Sequence, residues 1–501
     1  MLQLYAILIV GLAHAAEAGY VLDPDTAALA RGWGAAAFAW GGMALVAAWF
    51  ALVMRRCAAR FDQEGRLKWV DLADRALAGG QWGVLIVHGA SVQVFGWMGA
   101  AQDCFGGNVI LLDLVLAILP PLAGLTLLWL LHEPMARRLR DAITLDAAAS
   151  GRAVPRPRSR WDYLLLQWRV NILFILVPLL IIITIGDVVD ALYGVGPDSS
   201  RHQWQRDVLT LGGAAVVFLF APLLARVVLG LRPMPDPDVR QALLQVCRDH
   251  RVGVRDVLLW DTHGSMINGA VMGLIGPLRY VILTDALLQA MRPAEVIAVM
   301  AHEVGHARRH HLPWLIACLF ALILAPSLVL DFALRAVDAS NGGWLLHGVM
   351  AGVVLLAFVG FGWISRRFEG QADAFAAQHL SGLREARGEH DEGAVITSEA
   401  VTVMAQALRT VSLLHGINPR RSSWRHGSIA WRQRNLRRLA GSPLRSPPID
   451  RVVRRIKLAA AIVLAASIAV AAYDTWRNGP SGGFDNASER STRGYDDALP
   501  W

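Results

Sequence analysis

Eight long apolar runs constrain this chain more than any other feature of its sequence. They cover roughly residues 34–54, 82–100, 109–131, 163–186, 208–230, 312–335, 344–364 and 457–473. Each has about the 17–25 residues that a helix needs to cross a hydrocarbon core about 30 Å thick. Lipid offers no partner for backbone N–H and C=O groups, so such runs are expected as helices. A shorter stretch, 2–16, opens the chain and contains the small-x-small sequence Ala13-His14-Ala15. It fits a short first span or a signal peptide, and the lack of a preceding basic region favours the span. With 55% hydrophobic and 18% charged residues among 501, the composition excludes an ordinary soluble protein.

The net charge of +8 raises nucleic acid as a partner, but its distribution argues against that reading. Arg55, Arg56, Arg60, Arg66 and Lys68 follow the 34–54 run. Arg137, Arg138 and Arg140, then the arginines between 152 and 160, follow the 109–131 run. Arg366 and Arg367 follow the 344–364 run, and 420–457 is strongly basic. Loops 17–33, 101–108 and 336–343 are poor in Lys and Arg, and 187–207 has two Arg against four Asp. If each run crosses once, the basic loops fall on one side, as the positive-inside rule requires. The expected setting is a multi-pass protein of a bacterial inner membrane with its basic side cytoplasmic. His88, Asp113 and Arg169 lie within apolar runs, where ionisable groups mark candidate proton or substrate paths. Cys57, Cys104, Cys247 and Cys318 show no CxxC or framework spacing and read as free thiols.

Near Leu231 the pattern changes. The sequence PMPDPD is a linker, and 237–246 reads as a short amphipathic helix. Strand-forming runs follow at Val257–Trp260, Met266–Leu274 and Arg279–Thr284, with Gly276-Pro277 as a turn. Then comes the run MRPAEVIAVMAHEVGHARRHH. Pro293 suits the first turn of a helix, and Val296, Val299 and Met300 recur at helical spacing. His302 and His306 then share one face with Glu303 beside them. Two neutral imidazoles one turn apart can hold Zn²⁺, and an adjacent carboxylate can take a proton from water.

A catalytic zinc usually keeps three protein ligands. After the 344–364 run the chain offers Glu369, with Asp373 one turn later, in RRFEGQADAFA. That spacing suits one ligand plus an acceptor for a histidine N–H. HEVGH followed by RRFEGQADAFA resembles the integral-membrane gluzincin zinc metallopeptidases, which include the CAAX prenyl endoproteases and the bacterial heat-shock membrane protease. The resemblance covers roughly residues 231–440. It implies one zinc per chain on His302, His306 and Glu369, with Glu303 as general base and Asp373 as a supporting acid. Ile267-Asn268-Gly269-Ala270 resembles the family's edge strand, on which an extended substrate would pair. Arg425-His426-Gly427-Ser428-Ile429-Ala430-Trp431-Arg432 resembles its late His…Arg motif, although Gly427 stands where the family often has Pro. By that comparison His426 would face the oxyanion and Arg432 the substrate. His263, His310 and His311 fit no pattern and read as structural or interfacial.

The expected fold is mainly α: a polytopic membrane helical bundle with a small α+β zinc-metalloprotease domain on the cytoplasmic face. The expected divisions are 1–230 (membrane spans), 231–440 (metallopeptidase with a two-span hairpin at 312–364), 441–474 (basic linker and last span) and 475–501 (disordered tail). The expected partners are a membrane-associated or misfolded protein substrate and the bilayer itself, with no nucleic acid. Two rivals remain: a zinc-binding scaffold without catalysis, for which Glu303 has no use, and a transporter suggested by the span count alone.

Overall fold

The computed structural model describes every residue except 1–2, 18–31, 107–108, 150–158, 194–202, 265, 337–342, 385–392, 415–417 and 479–501. The tail from 479 onward and most of the loops expected at 17–33 and 336–343 therefore lie outside the described residues. Packing separates two compact units. Unit 1 comprises Met1–Arg240, Val254–Asn268 and Ile275–Gln289, and unit 2 comprises Gln241–Gly253, Gly269–Leu274 and Ala290–Trp501.

Unit 1 contains α1 (Gln3–Glu17), α2 (Trp33–Glu64), α3 (Lys68–Gln93), α4 (Trp97–Asp103), α5 (Leu112–Ala149), α6 (Arg160–Trp168), α7 (Phe174–Tyr193) and α8 (Gln203–Val228). On α2 the buried residues Ala35, Ala39, Met43, Ala47, Phe50, Met54 and Cys57 recur every three or four positions and form one stripe,. Small residues let the helices approach: a Cβ on Gly42 would lie 2.5 Å from Val87 Cγ1, and one on Gly80 3.1 Å from Leu128 Cδ1. Such close backbone approach is the usual basis of helix association in lipid. His88 is fully buried, with Nε2 2.9 Å from the Ile9 carbonyl. Arg169 opens a π-helical turn, Arg169–Leu173, between α6 and α7.

Among the described residues, four helices are long and apolar enough to cross a membrane: Trp33–Glu64, Leu112–Asp141, Arg160–Tyr193 and Trp204–Val228. Two further helix pairs reach that standard only when joined across bends of 63° and 52°. The run 82–100, expected as one crossing, is one of these. It breaks after Gln93, and Gly96 takes φ 68° before α4 begins. A left-handed residue cannot continue a right-handed helix, and glycine adopts that conformation without strain.

Unit 1 also holds β1 (Arg232–Pro233), β2 (Asp256–Trp260) and, later in the chain, the fully buried strand Tyr280–Thr284. β2 pairs antiparallel with β1 and parallel with Tyr280–Thr284. Between β1 and β2, α9 (Pro237–Asp249) starts in unit 1 and ends in unit 2. β3 (Gly269–Met272) lies in unit 2, and Tyr280–Thr284 is β4. The short α10 (Asp285–Ala290) leads into unit 2.

Unit 2 is built on α11 (Pro293–Arg308), α12 (His311–Ala336), α13 (Gly343–Leu380), α14 (Ser398–Leu414), α15 (Ile429–Arg437) and α16 (Pro448–Asn478). α11 and α12 form the pair bent by 52°. His310, at φ 54°, supplies the break between them. α11 carries Glu295, His302, Glu303, His306 and Arg308 and buries half of its residues, so α12 is read as the membrane half. α13 is one unbroken helix, from the apolar run 344–364 through Glu369 and Asp373.

Candidate metal centre

α11 starts where its sequence signals it. Pro293 occupies the first turn, the Arg292 N–H donates to Glu295 Oε2 at 3.0 Å, and the Arg292 guanidinium donates to Oε1 at 3.0 Å. This fixes the helix four residues ahead of its buried core face, Val296, Met300 and Val304. α13 packs closely against it: a Cβ on Gly305 would lie 3.1 Å from Phe375 Cβ. A larger residue at 305 would press on Phe375 and force a shift of a few tenths of an ångström there.

The approach brings together three groups far apart in sequence. His302 Nε2 and His306 Nε2 are 3.2 Å apart. Glu369 Oε2 is 3.6 Å from the first, and Glu369 Oε1 is 3.7 Å from the second. One ligand atom from each lies within 4.8 Å of the others. Two imidazole nitrogens and a carboxylate, converging from two rigid helices, match the donor set of a catalytic zinc site with an open position. The residues therefore fit the metal.

Behind these groups the side chains are tied in turn. Asp373 Oδ1 is 3.0 Å from His302 Nδ1, leaving Nε2 to face Glu369. Arg432, on α15, donates from Nε to Asp373 Oδ2 at 2.9 Å and from Nη2 to Oδ1 at 2.5 Å. Its Nη1 is 3.4 Å from Glu369 Oε2. His426 Nδ1 is 2.9 Å from Glu369 Oε1, with half of its side chain exposed. Buried charges in such a network are held by fork geometry and mutual neutralisation.

Electrostatics follow from this packing. Burial would raise the Glu369 carboxyl, but His426, Arg432, His302 and His306 outweigh it and hold it far below the usual carboxylate range. Asp373 follows the same logic: burial opposes its charge, and Arg432 and His302 more than restore it. Burial drives His306 well below the ordinary histidine value, with His302 adding to the shift, so it is neutral and able to ligate. Glu303 differs. Burial raises its carboxyl above the glutamate range, and His302 and the Val271 backbone N–H only partly counter this. That donor places Glu303 beside β3. Within one small volume, the carboxyls of Glu369 and Asp373 are thus pushed down and that of Glu303 up.

One set of neighbours carried no sequence signal. His311 Nδ1 is 2.9 Å from His306 Nδ1, and His311 Nε2 is 2.8 Å from Gln371 Oε1. Gln371 Nε2 donates to Asp450 Oδ1 at 2.7 Å, and Asp450 opens α16. Gln371 Oε1 only accepts, because its amide nitrogen is committed to Asp450, so His311 Nε2 carries the proton,. With Nε2 donating to Gln371, its Nδ1 accepts from His306. The spacing of His311 from HEVGH gave no hint of this, because the contact depends on the bend at His310.

The stretch 268–270 divides between the units. Asn268 is in unit 1, where its N–H donates to Thr284 Oγ1 at 2.9 Å and its carbonyl accepts from Thr284 N–H at 3.0 Å. Gly269 and Ala270 belong to β3 in unit 2. Among residues singled out within the apolar runs, His88 and Arg169 lie in unit 1, outside this cluster.

Comparisons agree with the geometry. Residues 233–389 match Peptidase family M48, a segment that includes His302, Glu303, His306, Glu369 and Asp373 but stops short of His426 and Arg432. The chain is 25% identical over 173 residues to the CAAX prenyl protease 1 homolog of Arabidopsis thaliana, covering 32% of this chain and 40% of that protein. It therefore spans less than half the length of that plant relative. Over 266 residues it is 26% identical to Protease HtpX of Xanthomonas campestris pv. campestris (strain B100), covering 49% of this chain and 83% of that protein. The crystal structure of S. mikatae Ste24p aligns with 81% of this chain and 99% of that one, at a TM-score of 0.43 and 14% identity. With its ligand cluster inside the matched segment, the chain is similar there to the proteases of Peptidase family M48.

Proposed function

We propose that this chain is a membrane-embedded zinc endopeptidase that hydrolyses peptide bonds of membrane-associated or misfolded proteins at the cytoplasmic face of a bacterial inner membrane. The observation that carries this reading is the convergence of His302, His306 and Glu369 with a base-competent Glu303 on the same helix face. His302, His306 and Glu369 would hold one zinc, and a zinc ion there supplies Lewis acidity to the scissile carbonyl. Glu303 takes the proton of the attacking water and delivers it to the leaving amine. Its raised carboxyl pKa brings it closer to the working pH, which suits both halves of that transfer. Asp373 orients His302 through Nδ1, and Arg432 locks Asp373 in place. His426, half exposed and already on Glu369, is the donor available to a developing oxyanion. Gly269 and Ala270 offer an extended segment beside Glu303 for backbone pairing with a peptide.

The test compares Glu303→Gln with Glu369→Gln in one detergent, measuring bound zinc and peptide hydrolysis together. Glu303→Gln should keep about one zinc per chain and lose cleavage, because an amide accepts no proton. Glu369→Gln should lose both, because a neutral amide oxygen is a poorer zinc donor. Wild-type cleavage by Glu303→Gln would remove the mechanism, and a scaffold without catalysis would show no cleavage in any form.

A further inference from the structure

α15 has two opposite faces. Arg432 is buried on Asp373 and Glu369, whereas Arg434 and Arg437, two and five residues later, point outward and are exposed,. The outward face lines two adjoining clefts of about 530 and 360 Å³ that share Gln433 and Arg437. The first is completed by Arg420, Ser428, Ala430 and Arg434, and the second includes Thr402, Gln406 and Arg409 from α14. Among the described residues, no Asp or Glu lines either cleft. Among the described residues, Arg409, Arg420, Arg434 and Arg437 have no carboxylate partner. Four unpaired guanidiniums around a groove far larger than one phosphate make a site for an anion with several oxygens. Serine, threonine and glutamine side chains beside them supply further hydrogen bonds.

The groove also lies close to lipid along the chain. Trp424, midway between Arg420 and Ser428, stacks on Phe358 of the apolar run 344–364 with ring centroids 4.0 Å apart. Its indole N–H donates to the Phe358 carbonyl at 3.1 Å. Gly362 makes room for the ring, since a Cβ there would lie 2.4 Å from the indole nitrogen. A tryptophan with one apolar face and one bonded N–H is typical of the membrane–water boundary. The exposed Arg451, Arg454 and Arg455 then precede the 457–473 run on α16.

We propose that the groove between α14 and α15 binds the phosphate of an anionic phospholipid headgroup. The inference does not depend on the peptidase reading, because binding requires neither zinc nor cleavage. The full chain in neutral detergent would be titrated calorimetrically with short-chain phosphatidylglycerol, short-chain phosphatidylcholine and inorganic pyrophosphate. Phosphatidylglycerol should bind more tightly than phosphatidylcholine. The pair Arg434→Gln with Arg437→Gln should weaken it roughly 30-fold, from about fivefold per arginine at a membrane surface. Arg454→Gln with Arg455→Gln, outside the groove, should change it little. Equal binding of the two lipids, no effect of the groove pair, or an equal loss in both pairs would overturn the proposal. Pyrophosphate binding with no phosphatidylglycerol binding would overturn the headgroup assignment, since the source would then be soluble. If the glutamine pair does not fold, Arg434→Gln alone and Arg437→Gln alone replace it. Each should weaken phosphatidylglycerol binding about fivefold, so unchanged affinity in both single variants also overturns the site.

Discussion

Arg432 carries its charge into the interior and leaves it on Asp373 and Glu369, only 8% exposed. The sequence resemblance places it near substrate, but nothing in the residues around 432 foretells that both carboxylates would meet it, because that pairing exists only after α15 docks. Arg432→Ala should cost about 3–5 kcal/mol, since Asp373 would remain buried without its partner. Denaturant unfolding in detergent would measure the loss, and Arg432→Lys should recover only part of it, lacking the two-pronged contact. Glu303 yields a different prediction. Its carboxyl holds a proton to higher pH than an ordinary glutamate, and a general base must be deprotonated. Cleavage should therefore fall as pH drops through a value above the usual glutamate range. A kcat/KM profile, with bound zinc checked at each pH, tests this; an acid limb at or below the ordinary value would count against Glu303 as the base.

At the scale of elements, HEVGH was legible because both its histidines and its carboxylate sit within two turns of one helix. Its start was legible in Pro293 and its cap. Glu369 lies 63 residues after His306; the carboxylate pair Glu369 and Asp373 made it a candidate, and the family resemblance singled it out, because no local periodicity links two helices separated by a long insertion. The glycine between the motif's histidines is equally telling. Gly305→Ala should destabilise the fold by about 1–3 kcal/mol, because the added methyl meets Phe375 across α11 and α13,. The chain His306–His311–Gln371–Asp450 was invisible in sequence, as each of its contacts depends on how α12, α13 and α16 pack. His311→Phe keeps a ring to stack on Phe368, now 4.7 Å away, but removes the acceptor for His306. Zinc affinity should drop about 10- to 100-fold, read by competition with a chelator.

For the whole molecule, the alternation of basic and charge-poor loops implies a topology, and the described residues form a mainly helical chain with four apolar spans, or up to six with the bent pairs. The turn at Gly96 makes one of the expected crossings, 82–100, a bent pair, a local break that hydropathy averaged over a window cannot see. Single cysteines in a Cys-free background should resist an impermeant thiol reagent in intact cells at 132–160 and 365–456 and react at 187–207; labelling at residue 150 would overturn that arrangement. α13 is a single rod of 38 residues, about 57 Å long at 1.5 Å per residue. Glu369 stands 26 residues from its Gly343 end, about 39 Å along the lever. A rotation of one degree about that end sweeps the carboxylate by about 0.7 Å, while ligand distances in a zinc site tolerate only about 0.2 Å. Lipid that tilts the rod will therefore detune the ligand shell, and hydrolysis in liposomes should pass through a maximum as acyl chain length is varied.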